Sequence, residues 1–214
     1  MVRGVVHPAL DLDRWEGQAH VSLVAFDFRD TRVLLCRVPG YIAFPELNLR
    51  TYVRHGEHRG VSFIRELVPQ RLVAAVARTV YNEPYQATRM ESATAIGGDR
   101  VCVTHRVFVG GREHTLTAVG SNAAEVPPTN GVAHFFKEHE WGYGRTRDGR
   151  LLRFRVRHPL WAVRTVHDIA LDIDFGVMYG DTWAWLTDAS PSSVVFAVGS
   201  PVIVDAPRVI ATNR

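Results

Sequence analysis

The chain has 214 residues, 46% hydrophobic and 22% charged, the balance of a globular protein that buries a sizeable core within one domain. That balance excludes disorder, collagen-like repeats and coiled coil as descriptions of the whole chain. The net charge is +3, and its 25 Lys and Arg residues run from Arg3 to Arg214 among 22 acidic ones, so no basic patch marks a nucleic-acid interface.

Period-two alternation dominates the chain. Residues 20–28 (HVSLVAFDF) read as a buried strand, residues 46–54 (ELNLRTYVR) alternate cleanly, and residues 61–64 are β-branched and aromatic. A helix is expected from Pro69, with Leu72, Val73, Val76 and Val80 as its apolar stripe and Asn82 and Pro84 as its stop. Residues 101–109 and 113–119 flank Gly110-Gly111, and residues 141–147 and 150–157 flank Asp148-Gly149, two hairpin signals. Short helices are expected over 132–137 and within 175–186, and strands over 193–197 and 202–204. No repeat or linker divides the chain, which reads as one domain spanning 1–214. Many antiparallel strands with few helices predict a mainly β (α+β) barrel or sandwich with helices outside.

Cys36 and Cys102 lie far apart without CxxC spacing, which argues against a disulfide scaffold and fits a reducing compartment. The start, MVRGVVHPAL, has no apolar run of the signal-peptide kind. The longest uncharged stretch, 189–204, is too short and too rich in Ser and Pro to cross a bilayer. A cytoplasmic protein without membrane or nucleic-acid partners is expected; association of like chains stays open.

The strand 46–54 carries the most chemical information. Alternation places Glu46, Asn48, Arg50 and Tyr52 on one face and Leu47, Leu49, Thr51 and Val53 on the other. The polar face is either the wet side of an antiparallel sheet or the lining of a pocket, where the carboxylate and the guanidinium contact opposite ends of one small ligand. In the second case Arg65 of the next strand joins it, with Trp141 or Tyr143 as further walls, and outer helices cover the leucine face. Gln70 and Arg71 open the predicted helix, whose free N–H groups attract anions. The segment HFFKEHEWGY packs His134, Lys137, Glu138, His139, Glu140, Trp141 and Tyr143 together, but the spacing of His134 and His139 suits neither a helix face nor a strand face and HExxH is absent, so no metal site is expected. GxSxG, GxGxxG and P-loop patterns are also absent, and no cofactor is implied.

The runs FPELNLRTYV, GVSFIREL, NEPYQATRM, HFFKEHEWGYG and VRHPLW together resemble the YqjF-like family of uncharacterised bacterial proteins, from about His7 to about Val204. Relative to that family the chain is expected to lack an N-terminal lead-in helix and strand. The family is similar in turn to acetoacetate decarboxylase, and the resemblance implies a closed antiparallel β-barrel with an internal site, in which Glu46 stands about where the decarboxylases place an active-site glutamate. Their REL…PKKL pattern, whose first lysine forms a Schiff base with the keto substrate, corresponds here to Arg65-Glu66-Leu67-Val68-Pro69-Gln70-Arg71-Leu72. Gln70 and Arg71 occupy the two lysine positions, and neither forms an imine. Two functions follow as expectations. The first is a binding protein that holds a small carboxylate or keto-acid-like molecule with Arg50, Arg65 and Arg71. The second is an enzyme with Glu46 as acid or base and Arg50 as electrostatic stabiliser. Imine chemistry moved to Lys137, the one lysine, and nucleic-acid binding are the remaining options.

Overall fold

The structure is a computed structural model that describes residues 2–30 and 43–210; Cys36 lies outside the described residues, and Cys102 is a free thiol. The chain opens with short strands β1 (Asp11–Leu12), β2 (Arg14–Trp15) and β3 (Gln18–Ala19). The meander β4 (Val21–Phe28), β5 (Phe44–His55) and β6 (His58–Val68) follows, then helix α1 (Arg71–Val80). Next come β7 (Tyr85–Ala87), β8 (Arg89–Gly97), β9 (Arg100–Val109), β10 (Arg112–Glu125) and α2 (Val132–Lys137). The last part holds β11 (Trp141–Arg145), β12 (Leu151–Arg157), β13 (Val163–Asp172), α3 (Phe175–Tyr179), a 3-10 turn (Asp181–Leu186) and the short strands β14 (Phe196–Ala197), β15 (Ile203–Val204) and β16 (Arg208–Val209).

The strands form two main sheets. One runs β1-β5-β6-β11-β12-β15, with β4 on β5, β7 on β6 and β16 on β12; the other runs β14-β13-β10-β9-β8. The expected closed antiparallel barrel is corrected here. Among the described residues no ladder joins the two sheets, and β6 pairs in parallel with both β7 and β11. The reason lies in the connections. After β6 the chain crosses through α1 before β7 returns beside it, and such a crossover delivers a parallel neighbour, whereas a hairpin delivers an antiparallel one.

The core sits between the sheets. Leu47, Leu49 and Leu67 of the first pack with Met90 and Val107 of the second and with Phe175, Met178 and Tyr179 of α3. Gly110 and Gly111 turn the β9–β10 hairpin with φ of 62° and 74°, the paired positive values of a type I′ turn. Gly180, with φ of 99°, separates α3 from the 3-10 turn. Helix α1 begins at Arg71 rather than Pro69, because β6 stays extended through Val68, which pairs with Ala87 and accepts the Thr88 N–H. Its apolar stripe faces outward: Leu72, Val76 and Val80 are 51%, 40% and 51% exposed, while Ala74 is buried against Phe44 and Val68. Two strands, β8 and β13, have no counterpart in the sequence reading; their side chains are largely exposed, so no apolar alternation marks them.

Candidate functional site

Strand β5 is the central strand, paired to β4 along one edge and β6 along the other, and nearly all its side chains are buried. The alternation holds. Leu47 and Leu49 enter the core between the sheets, while Glu46, Asn48, Arg50 and Tyr52 share the other face. The cover is reversed from expectation: the second sheet and α3 cover the leucine face, and the polar face lies beneath the helices. At one end α1 packs on Phe44 and Val68 through Ala74. At the other, Phe135 and Phe136 of α2 pack on Tyr52, Val61 and Phe63. A strand's pattern states which residues share a face, not which layer meets it.

Strand β6 contains a bulge. Leu49 pairs with Arg65 and Arg50 with Phe63, so Ile64 is the extra residue. Val61 and Phe63 face α2, and strict alternation would put Arg65 beside them. The bulge instead sends Ile64 and Arg65 together into the core, where Arg65 Nη1 donates to the Met178 carbonyl at 2.5 Å. Glu66, opposite Asn48, takes the place expected for Arg65.

The result is a buried acidic cluster. Asn48 Nδ2 donates to Glu46 Oε1 at 2.9 Å, and the Tyr85 hydroxyl donates to Glu46 Oε2 at 3.0 Å. Tyr85 sits beside Glu66 through the β6–β7 pairing. Glu83 completes the group, with Gly144 against it: a Cβ at Gly144 would lie 2.6 Å from Glu83 Oε1. Burial pushes the Glu46 carboxyl up to about 7, against the hydrogen bonds from Asn48 and Tyr85 and the charge of Arg50. Burial also raises Glu83 to about 8. Glu66 is raised well above its ordinary value by burial and then by the charges of Glu46 and Glu83. The three carboxyls therefore hold protons at neutral pH, and Glu66 Oε1, Glu83 Oε1 and Asn48 Oδ1 have no hydrogen-bond partner. Among the described residues no group of His, Cys, Asp and Glu is arranged to hold a metal ion.

Arg50 stands at the other end of the face. Its Nη2 donates to the Phe136 carbonyl at 3.3 Å, its Nε has no partner, and its guanidinium carbon lies 5.8 Å from the centre of the Tyr52 ring. The Tyr52 hydroxyl donates to Ser22 Oγ at 2.7 Å. A second buried network lies below Tyr52. Asp13 Oδ2 accepts from Arg59 Nε at 2.6 Å and meets His139 Nε2 at 3.0 Å, and the His139 ring packs on Tyr52.

The other expected site residues do not converge on Glu46. Arg71 is exposed. Gln70 is half-buried at the start of α1 with its Oε1 unpartnered. Tyr143 packs with Val53 on the leucine face and donates to the His58 carbonyl, and Trp141 packs against the same cluster with Arg153 over its ring. Lys137 is buried and ion-paired to Glu138. Glu66, Glu83 and Tyr85 are the residues that sequence reasoning missed. Glu83 and Tyr85 stand two apart around Pro84, the spacing that puts side chains on one side of an extended chain, and that was the available signal.

A profile of DUF2071, described as an uncharacterized conserved protein, matches residues 1–201. The chain belongs to this family. Over 93 residues the DUF2071 chain is 39% identical to "Uncharacterized protein YqjF" of Bacillus subtilis (strain 168), a match to 43% of this chain and 38% of that one. It thus spans well under two thirds of that relative's length. Among solved structures it is similar to an acetoacetate decarboxylase, with a TM-score of 0.59, 15% identity and coverage of 97% of this chain and 80% of that one. The acetoacetate decarboxylase of Legionella pneumophila gives a TM-score of 0.53 at 13% identity, over 79% of this chain and 65% of that one. The enduracididine biosynthesis enzyme MppR complexed with pyruvate gives 0.52 at 15%, over 79% and 69%. The resemblance drawn from the sequence therefore stands for family and fold. Identities this low carry the fold alone.

Proposed function

We propose that this DUF2071 protein is an enzyme of the general acid–base type, acting on a small carbonyl or carboxylate compound, with Glu46 exchanging the proton and Arg50 stabilising negative charge. The observation that carries this reading is the Glu46 carboxyl, whose pKa of about 7 matches the value at which one group both gives and accepts a proton near neutrality. Glu46 also has no ion pair with an arginine among the described residues. A binding protein would need Arg50, Arg65 and Arg71 around one anion, and that reading loses support because Arg65 faces the core and Arg71 faces solvent. An imine route has no support either: Gln70 and Arg71 lack the amine, and Lys137 is held by Glu138. The partner in this reading is a small molecule, and the cytoplasm, in keeping with the cysteine spacing, is where it acts. No helix among the described residues is long and apolar enough to cross a membrane.

Pyruvate, which the similar MppR structure contains, is the first probe. An ionised Glu46 takes a methyl proton next to the carbonyl, Arg50 stabilises the enolate oxygen, and in D2O a deuteron returns to the carbon. Methyl exchange followed by proton NMR is expected to exceed the buffer rate, and Glu46→Gln is expected to lower it at least a hundredfold, the usual size of one acid–base group. Exchange at the buffer rate for pyruvate and for a panel of 2-keto acids would overturn the reading.

A further inference from the structure

A cleft of about 220 Å³ opens at the outer end of the Arg50 side, with Trp15, Glu16, His20, Phe136, Ser192 and Ser193 in its lining. Two features set it apart from a surface fold. The first is chemical. His20 Nε2 is buried and has no hydrogen-bond partner, an expense that persists where a ligand supplies the missing bond. Around it stand a carboxylate and two hydroxyls, with the aromatic rings of Trp15 and Phe136 as further walls. The second is positional. The Phe136 ring lies 5.2 Å from both the His20 and the Tyr52 rings, and its carbonyl accepts from Arg50 Nη2 and the Tyr52 hydroxyl. One residue is therefore the shared wall of the cleft and of the Arg50 end of the acidic face.

We infer that the cleft receives the hydroxylated part of the substrate, so that the substrate class is a polyhydroxylated keto or carboxylic acid and not a bare three-carbon keto acid. Its carboxylate meets Arg50, whose Nε is free to donate, and its hydroxyls meet His20, Ser192 and Ser193. Glu16 at the rim accepts from hydroxyls and rejects a second acid group, which fixes the direction of binding. The cleft is smaller than the sites that enclose drug-sized ligands, roughly 300 Å³ and upward, and suits a molecule of sugar-acid size. The inference rests on the proposed acid–base reading only for the acid end of the ligand.

The experiment measures Kd by ligand-observed NMR for 2-keto-D-gluconate, pyruvate and D-glucose, with wild type, His20→Phe, Ser192→Ala and Arg50→Met. 2-Keto-D-gluconate is expected to bind at least tenfold more tightly than pyruvate. His20→Phe is expected to weaken it about tenfold, one hydrogen bond left unmade, with pyruvate unmoved. Ser192→Ala, at an exposed position, is expected to weaken 2-keto-D-gluconate in the same sense without risk to the fold. If 2-keto-D-gluconate binds no better than pyruvate, or ignores both His20→Phe and Ser192→Ala, the cleft proposal is overturned, and Arg50-dependent pyruvate binding would leave the acid–base reading standing. If 2-keto-D-gluconate and glucose sense His20 while no acid senses Arg50→Met, the cleft's hydroxyl recognition holds and its sugar-acid assignment fails together with the acid–base reading. Binding of none of the three at millimolar concentration overturns the proposal.

Discussion

Glu46→Gln should flatten the alkaline side of the stability profile. In the folded protein the Glu46 carboxyl is raised from its ordinary 4.5 to about 7, so the native state binds a proton that the unfolded chain has already released. The stability this gives is fully present below about pH 4.5 and is lost as pH rises through about 7. At about 1.4 kcal/mol for each pH unit of displacement, ionising Glu46 in place costs roughly 3 kcal/mol. Glutamine keeps the shape and an oxygen that accepts from Asn48, but it has no proton to lose. Because Glu66 is raised in part by the charge of Glu46, the substitution also eases the ionisation of Glu66, and the measured difference belongs to the pair. Urea unfolding followed by circular dichroism from pH 5 to pH 8.5 tests this. Wild type should weaken steadily across the range, and Glu46→Gln should be the more stable protein above pH 7.5 by roughly 2–3 kcal/mol, a value that follows from the same displacement. A wild-type profile that is level or rises over this range would refute the claim that the cluster is protonated in the folded state.

Asp13→Asn should act on the opposite limb. Burial works against the Asp13 charge, but the hydrogen bonds from His139 and Arg59 hold its carboxyl below the ordinary value, so its stabilisation is present at neutral pH and is lost as pH falls; the substitution should cost about 2 kcal/mol at pH 7, below the usual value for a fully buried pair because the Arg59 side chain is 36% exposed. Gly60→Ala should cost roughly 1–3 kcal/mol or more in thermal or urea unfolding, since its Cβ would fall 2.3 Å from the Trp141 carbonyl oxygen, a backbone atom that cannot yield without breaking the β6–β11 pairing. Val76→Ser on the outward face of α1 should change unfolding free energy by less than about 0.5 kcal/mol, whereas burial of the stripe would make the loss several times larger. Borohydride treatment with acetoacetate should leave no adduct on Lys137 by mass spectrometry, and an adduct there would restore imine chemistry.

Faces were legible in the sequence and layers were not. The alternation of ELNLRTYVR separated Glu46, Asn48, Arg50 and Tyr52 from Leu47, Leu49 and Val53 correctly, because strand geometry imposes period two whatever surrounds it. The same pattern says nothing about whether a helix or a sheet lies on a given side, and so the expected cover was inverted. Gly110-Gly111 marked its hairpin because positive φ at two successive residues has few sequence solutions. The Leu72, Val76 and Val80 stripe marked a helix and named its wrong side: small Ala74 sits against Phe44 and Val68, where a close approach needs little side chain. The bulge at Ile64 has no residue signature, and it alone decides whether position 65 or 66 joins Glu46. The acidic cluster depends on that decision, and its third carboxylate, Glu83, depends on a glycine at 144.

The pairing of β6 with β11 sets an order on folding. Hairpins β5–β6, β8–β9 and β9–β10 join neighbours in the chain, and their short loops close early. The edge of β6 that meets β11 pairs Gly60 and Val61 with Trp141 and Gly142, so during synthesis it waits for most of the following 80 residues. Through that interval β6 presents unpaired backbone groups flanked by Val61 and Phe63, the kind of exposed edge that templates pairing between chains. Arg59 and Arg65 bracket this stretch on the same strand. Positive charge at both ends of an open edge opposes the approach of a second copy, so the two arginines act as gatekeepers before either has found its native partner.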